Sequence, residues 1–199
     1  VNLLPTPPAI AVLMAAFSEL DDAANAVSAV IAAGVLPAGL EMMDKLAISA
    51  AESFVHAGYP INAQALLLCE LDGSAEELDS LINRVSDVFS ENHAFDITIA
   101  RDASDRAKLW LGRKAAFPAV GRIAPDYYCM DGTIPRRELA SVLKTIDQLA
   151  TKYQLKVANV FHAGDGNLHP LILYDANDAD QLLRAEQFGS DILKLCIEK

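Results

Sequence analysis

Short apolar runs of strand length recur along this chain, and helical stretches separate most of them. That alternation constrains the fold more than any other feature. Pro8–Phe17 (PAIAVLMAAF) reads as a buried strand, and Asp22–Ala33 as a helix ending at Gly34. LPAGLEMMD follows as a second strand, then a helix over Asp44–His56 closed by Gly58. Ala63–Gly73 is a strand ending in an Asp-Gly turn. Ser74 and Glu77 stand three apart as a capping box, opening a helix to about Asn92. Asp96–Asp102 (DITIARD) alternates and carries β-branched residues, as a strand does. Asp102–Phe117 is helical and stops near Pro118. DYYCMDGTIP is a strand with an internal Asp-Gly. Pro135 opens another helix at its first turn, running to about Tyr153. KVANVFHAGDGNLHPLILYD then forms two strands, and DADQLLRAEQFGSDILKLCIEK the last helix.

Strict alternation would suggest a parallel sheet. The short connections and the late hairpin favour an α+β fold instead. The expectation is a mostly antiparallel sheet of about seven strands, helices packed on one face, and ferredoxin-like elements.

With 52% hydrophobic residues in 199, the chain can bury the core of one large domain or two small ones. Its net charge of −11 repels phosphate backbones, so no nucleic acid partner is expected. Cys69, Cys129 and Cys196 are odd in number and widely spaced, which argues against a disulfide framework. Their apolar surroundings suggest three buried, inert thiols in a reducing compartment. No apolar run reaches the roughly 18 to 20 residues that would span a bilayer. The start at Val1 has no basic leader region, and LCIEK carries no helix-stop signal. Both ends read as cut from a longer chain.

Two of the four histidines, His162 and His169, flank a Gly-Asp-Gly-Asn turn. Taking Asp165-Gly166 as a two-residue hairpin loop pairs Gly164 with Asn167, Ala163 with Leu168, and His162 with His169. Directly opposed side chains have Cβ atoms roughly 4.5–5.5 Å apart, close enough for two imidazoles to converge on one metal ion. The plainer reading is two ordinary strand histidines around a tight turn. Zinc takes three or four ligands, so a third would come from elsewhere. Asp165 serves the turn better than a metal.

Arg106, Trp110, Arg113 and Phe117 share one helix face, which sets Arg113 between two aromatics. A guanidinium there needs an anion or carbonyls. A substrate carboxylate is one candidate, taken in a bidentate fork. An internal ion pair, or a side chain reaching to solvent, is the other. No dinucleotide loop, P-loop, GxSxG or HExxH occurs in the chain.

NVFHAGDGNLHP resembles the signature of the C-terminal (cap, or substrate) domain of FAD-linked oxidases of the vanillyl-alcohol oxidase type. LWLGRKAAFPAVGRIAPDYYCMDGTIPRREL is similar to the branch holding the glycolate oxidase FAD subunit, D-lactate dehydrogenases and D-2-hydroxyglutarate dehydrogenase. The likeness runs over residues 1–199 and is strongest from Leu109 to Asp178.

The resemblance implies a preceding FAD-binding domain and a following segment, neither of them in this sequence. It implies oxidation of a D-2-hydroxy acid, with hydride passing from C2 to FAD. It implies a divalent metal, zinc or manganese, held by His162 and His169 and by a later glutamate. Arg113 matches the arginine that holds the substrate carboxylate. Asn167 matches the motif asparagine near the flavin. The third metal ligand and the general base belong to the family's segment after Lys199, so the fragment alone is expected to be inactive. Cys129 stands near where a 2-hydroxyglutarate enzyme has lysine, which favours glycolate or D-lactate. The family also implies other oxidase subunits as partners, and a cytoplasmic place with the full enzyme peripheral at the inner membrane.

The rival is a non-catalytic ferredoxin-like domain for ligand binding or dimerisation, with the two histidines pointing apart. A standalone zinc hydrolase lacks a base and a third ligand. His56 and His93 have no motif around them.

Overall fold

A computed structural model describes residues 6–199; the reading of the first five residues lies outside them. Nine strands and six α-helices follow in chain order among the described residues: β1 (Ala9–Phe17), α1 (Leu20–Ala32), β2 (Gly39–Asp44), α2 (Lys45–Val55), β3 (Ala65–Gly73), α3 (Ala75–Glu91), β4 (Ala94–Ala100), α4 (Ala103–Val120), β5 (Asp126–Cys129), β6 (Gly132–Thr133), α5 (Leu139–Tyr153), β7 (Lys156–Phe161), β8 (Asn167–Leu168), β9 (Pro170–Tyr174) and α6 (Ala179–Glu198). A 3-10 turn, Arg136–Glu138, leads into α5.

Seven strands form one sheet in the order β4-β1-β3-β2-β7-β9-β5, and every pairing in it is antiparallel. β6 and β8 make a small separate ribbon. The order β4-β1-β3-β2, with α1 and α3 as connections, is a ferredoxin-like βαββαβ unit. α2 is inserted between its two middle strands. β5, α5, β7, β9 and α6 repeat most of that path, with β9 lying between β5 and β7. The α+β class and the seven-stranded antiparallel sheet are as the sequence suggests.

The placing of helices on one face is corrected. α1, α3, α5 and α6 cover one face, where Ala11, Leu13, Ala15 and Phe17 point. α2 and α4 cover the other, where Val12, Met14 and Ala16 point. Both sides of the central strands are therefore dry. This explains why AIAVLMAAF and ALLLC run on as unbroken apolar stretches instead of alternating.

One local signal holds and two are corrected. Ser74 and Glu77 form the capping box in full at the start of α3. α4 does not stop at Pro118 but runs to Val120. A proline in the last turn removes a single intrahelical donor, and the helix survives it there. Of the three cysteines only Cys69 is fully buried; Cys129 is exposed and Cys196 partly so. Burial pushes the Cys69 thiol up to about 12.

Candidate functional site: a shared carboxylate between His162 and Arg113

The hairpin after β7 is wider than a two-residue turn. His162 pairs with Asn167 through both backbone bonds, His162 N–H to the Asn167 carbonyl at 3.1 Å and the return at 3.2 Å. The loop is thus Ala163–Gly166, and the register expected from Asp165-Gly166 is corrected by two residues. Gly166 alone in this loop takes a positive φ, +76°. Its carbonyl accepts the Ile134 amide at 3.0 Å, and a Cβ on it would meet the Ile134 carbonyl oxygen at 2.2 Å. The Arg136 guanidinium donates to the Gly164 carbonyl at 2.8 Å. Tertiary bonds therefore set this loop.

The shift leaves the two histidines diagonal on the same face rather than opposed. Their rings still meet edge to face, with centroids 5.3 Å apart. His162 is half exposed, while the His169 side chain is 19% exposed. Asp131 approaches His169 Nδ1 only to 3.9 Å, too far for a hydrogen bond. Asn167 Oδ1 is buried without a partner.

β2 supplies a residue that the sequence reading passed over. Met42 pairs with Phe161. One step on, Glu41 lies across from His162, and its Oε1 takes the His162 Nδ1 at 2.7 Å. Glu41 Oε2 accepts from Arg113 Nε at 3.0 Å and lies 2.8 Å from the terminal Nη2. Both side chains are close to buried, Arg113 at 12% and Glu41 at 10% exposure. Of the partners open to Arg113, the structure shows the internal ion pair. With one edge of its fork on Glu41, Arg113 has Nη1 and the outer side of Nη2 left as donors. The signal was present in the sequence: Glu41 is the one charge inside the otherwise apolar run LEMM.

Arg113 is also held through its backbone. The Tyr59 hydroxyl donates to the Leu109 carbonyl and accepts the Arg113 amide at 3.0 Å, so it sits in the ladder of α4 between residues i−4 and i. Gly112 makes room for that ring; a Cβ there would lie 2.3 Å from it. Burial pushes the Tyr59 hydroxyl far above its usual range. Its aromatic neighbours turn elsewhere. Trp110 donates to Glu70 at 2.8 Å, and Phe117 packs edge-on against Tyr127.

A cavity of about 260 Å³ opens beside His162, lined by Leu36, Leu40, Glu41, Arg136, Gly164 and Asp165. Among the described residues no three His, Cys, Asp or Glu side chains converge as a metal-holding group. The donor chemistry of His162 nevertheless suits a cation. Glu41 occupies Nδ1, so a neutral imidazole carries its proton there and leaves the lone pair on Nε2. This is the carboxylate–histidine arrangement usual behind a metal ligand. His56 and His93 take no part. Both have positive φ at helix ends, and His93 Nδ1 lies 3.4 Å from Asp22.

An antiparallel sheet covered on both faces, with an Arg–Glu–His chain where β2 meets the end of β7, defines a class before any relative is considered. It is a mixed α+β domain with a guanidinium, a carboxylate and two imidazoles gathered at one place. The sequence profile of the family described as "FAD linked oxidases, C-terminal domain" matches residues 6–199, and the chain belongs to that family.

The chain is 56% identical over 198 residues to the glycolate oxidase subunit GlcD of Escherichia coli K12, and 33% identical to the subunit of the same name in Bacillus subtilis. A probable mitochondrial D-lactate dehydrogenase of Danio rerio is 26% identical over 194 residues. These matches cover 100%, 100% and 94% of this chain, but 40%, 42% and 38% of those proteins. The chain thus spans about 40% of the length of the curated relatives it matches. Among solved structures, a 4-ethylphenol oxidase from Gulosibacter chungangensis superposes with a TM-score of 0.71 at 15% identity, covering 99% of this chain and 45% of its own. An alkyldihydroxyacetonephosphate synthase reaches 0.68 at 16% identity, covering 97% and 40%. At such identity these two establish the fold alone. No helix among the described residues is long and apolar enough to cross a membrane.

Proposed function

We propose that this chain is the substrate- and cation-binding domain of a flavin-dependent D-2-hydroxy acid dehydrogenase of the glycolate or D-lactate type. The observation that carries the reading is the chain of contacts Arg113–Glu41–His162, with the His169 ring against His162. The named relatives support the substrate class. When bound, the flavin supplies the two-electron acceptor for hydride from substrate C2, and a divalent cation, zinc or manganese, supplies a Lewis acid for the hydroxyl.

The chain's own residues bind and orient. Arg113 takes the substrate carboxylate on its free outer donors and so fixes the direction of C2. His162 and His169 are the residues that would hold the cation. Asn167 lies in the same hairpin and offers its unpartnered Oδ1 to the flavin side. The FAD-binding part, the third cation ligand and the general base come from other parts of the whole polypeptide. Residues 1–199 alone therefore do not turn over substrate. The whole enzyme is cytoplasmic, working with further oxidase subunits.

Steady-state oxidation of glycolate and D-lactate by the whole flavoprotein tests this reading. Arg113→Gln should lower kcat/KM for both on the order of 10²-fold, the loss of a charge-assisted pair. Unchanged kinetics would remove Arg113 from substrate binding. The rival, a dimerisation or effector domain, would show no change in either rate.

A further inference from the structure

Glu41 is the one group that touches both halves of the site. It lies in the middle of β2, which is covered on both faces, and only 10% of its side chain reaches solvent. One oxygen goes to His162 and the other to Arg113. A buried carboxylate with one ionic partner would be satisfied by that partner alone; a strand position that serves two separate elements, β7 and α4, ties them together.

We infer that Glu41 is a positioning residue joining the two binding elements, so that a carboxylate ligand at Arg113 and a divalent cation at His162 bind cooperatively through it. This rests on the proposed function above. A cation on His162 Nε2 strengthens the Nδ1–H as a donor and draws negative charge on Glu41 toward it. Less of that charge is then spent on Arg113, whose outer donors meet an incoming carboxylate with a stronger field. The reverse holds as thermodynamic linkage requires. Both oxygens of Glu41 are engaged, by His162 and by Arg113, so its effect on either ligand runs through those two side chains.

Two features make Glu41→Gln an informative change. It preserves the volume of the side chain. Its amide can still accept from one partner, but its NH2 faces the other donor without an acceptor. Glu41→Asp is shorter and keeps the charge while losing reach to one partner.

The experiment uses the whole flavoprotein. Zinc and manganese affinity is measured by calorimetry with and without oxalate, a non-oxidisable dicarboxylate probe, and KM and kcat are measured for glycolate. In the wild type, oxalate should tighten cation binding. Glu41→Gln should weaken cation binding 10- to 100-fold, the range seen for partners behind metal ligands. It should also raise KM more than it lowers kcat and reduce the oxalate effect to within about 2-fold, against the usual coupling range of 5- to 150-fold. Glu41→Asp should restore part of one affinity but not the coupling.

In a parallel measurement, 15N-labelled His162 should show its proton on Nδ1 in the wild type and lose that preference in Glu41→Gln. This readout depends on neither metal nor turnover. Cation affinity and oxalate coupling unchanged in Glu41→Gln would overturn the inference while leaving the proposed function in place. Absence of cation binding in the wild type, with Arg113→Gln also silent, would instead overturn the reading on which it rests.

Discussion

Arg113 shows how a single side chain can be read correctly in need and incompletely in partner. From sequence, its place between Trp110 and Phe117 demanded an anion or carbonyls, in a ligand or within the chain. The structure supplies one in Glu41, which is 72 residues away and invisible to any local pattern. Glu41 had a signal of its own, a carboxylate in an apolar strand. That signal becomes compelling only once both faces of the strand are known to be covered, since a charge there must be paired. Tyr59 had none. Its role depends on Gly112, which leaves a gap on α4 for the phenol ring. Filling that gap should be felt. Gly112→Ala removes a helix-weakening glycine, which alone would stabilise by about 1 kcal/mol. The clash at 2.3 Å reverses the sign, because the buried phenol could withdraw only by giving up its bonds to the Leu109 carbonyl and the Arg113 amide. A net loss of about 1–3 kcal/mol, the usual range for overpacking, is expected in urea unfolding. A more stable variant would mean that Tyr59 is not wedged there.

At the scale of elements, most strands and helices were legible because each carries its own period, cap or breaker. The hairpin register was not. Asp165-Gly166 promises a two-residue loop, but only Gly166 adopts a positive φ, while bonds from Ile134 and Arg136 draw the loop open. Tertiary contacts outbid local turn chemistry here. The two histidines stayed on one face because the shift was by two residues; a shift by one would have put them on opposite faces. Faces were hard to assign for the same reason that the strands were easy to find: unbroken apolar runs announce strands but not which helix covers which side.

α2 offers a pH test. Its N-cap, Asp44, is partly buried, accepting from the Ala47 amide at 2.9 Å and from the backbone and side-chain amides of Asn159 at 2.8 and 2.9 Å. Burial outweighs these bonds and raises its pKa from 3.8 to about 6. A raised carboxyl favours the folded state in its protonated form. Its contribution is therefore full below about pH 4, is lost as pH rises to about 6, and is flat above. About two pKa units correspond to about 3 kcal/mol. The stability difference between wild type and Asp44→Asn, measured by urea unfolding, should shift by that order against the wild type between pH 4 and pH 7. A pH-independent difference would mean that the three donors hold Asp44 ionised throughout.

In the whole molecule, one complete ferredoxin-like unit and a second that follows most of the same path share a single sheet. They meet where β2 pairs with β7, and the Arg–Glu–His chain lies at that junction, drawing Glu41 from the first unit and His162 from the second. The site is a product of the join. Neither unit's local pattern contains it, which is why the sequence offered the histidines and the arginine as separate puzzles. The central claim is that the junction holds a divalent cation through His162 and His169. The most direct measurement is titration of the whole flavoprotein with zinc and with manganese by calorimetry, beside His162→Ala and His169→Ala. One site per chain, weakened by at least 100-fold in either variant while the FAD content stays constant, is the predicted result. No cation binding in the wild type, or equal affinity in all three proteins, would contradict it and return the two histidines to ordinary places in a hairpin.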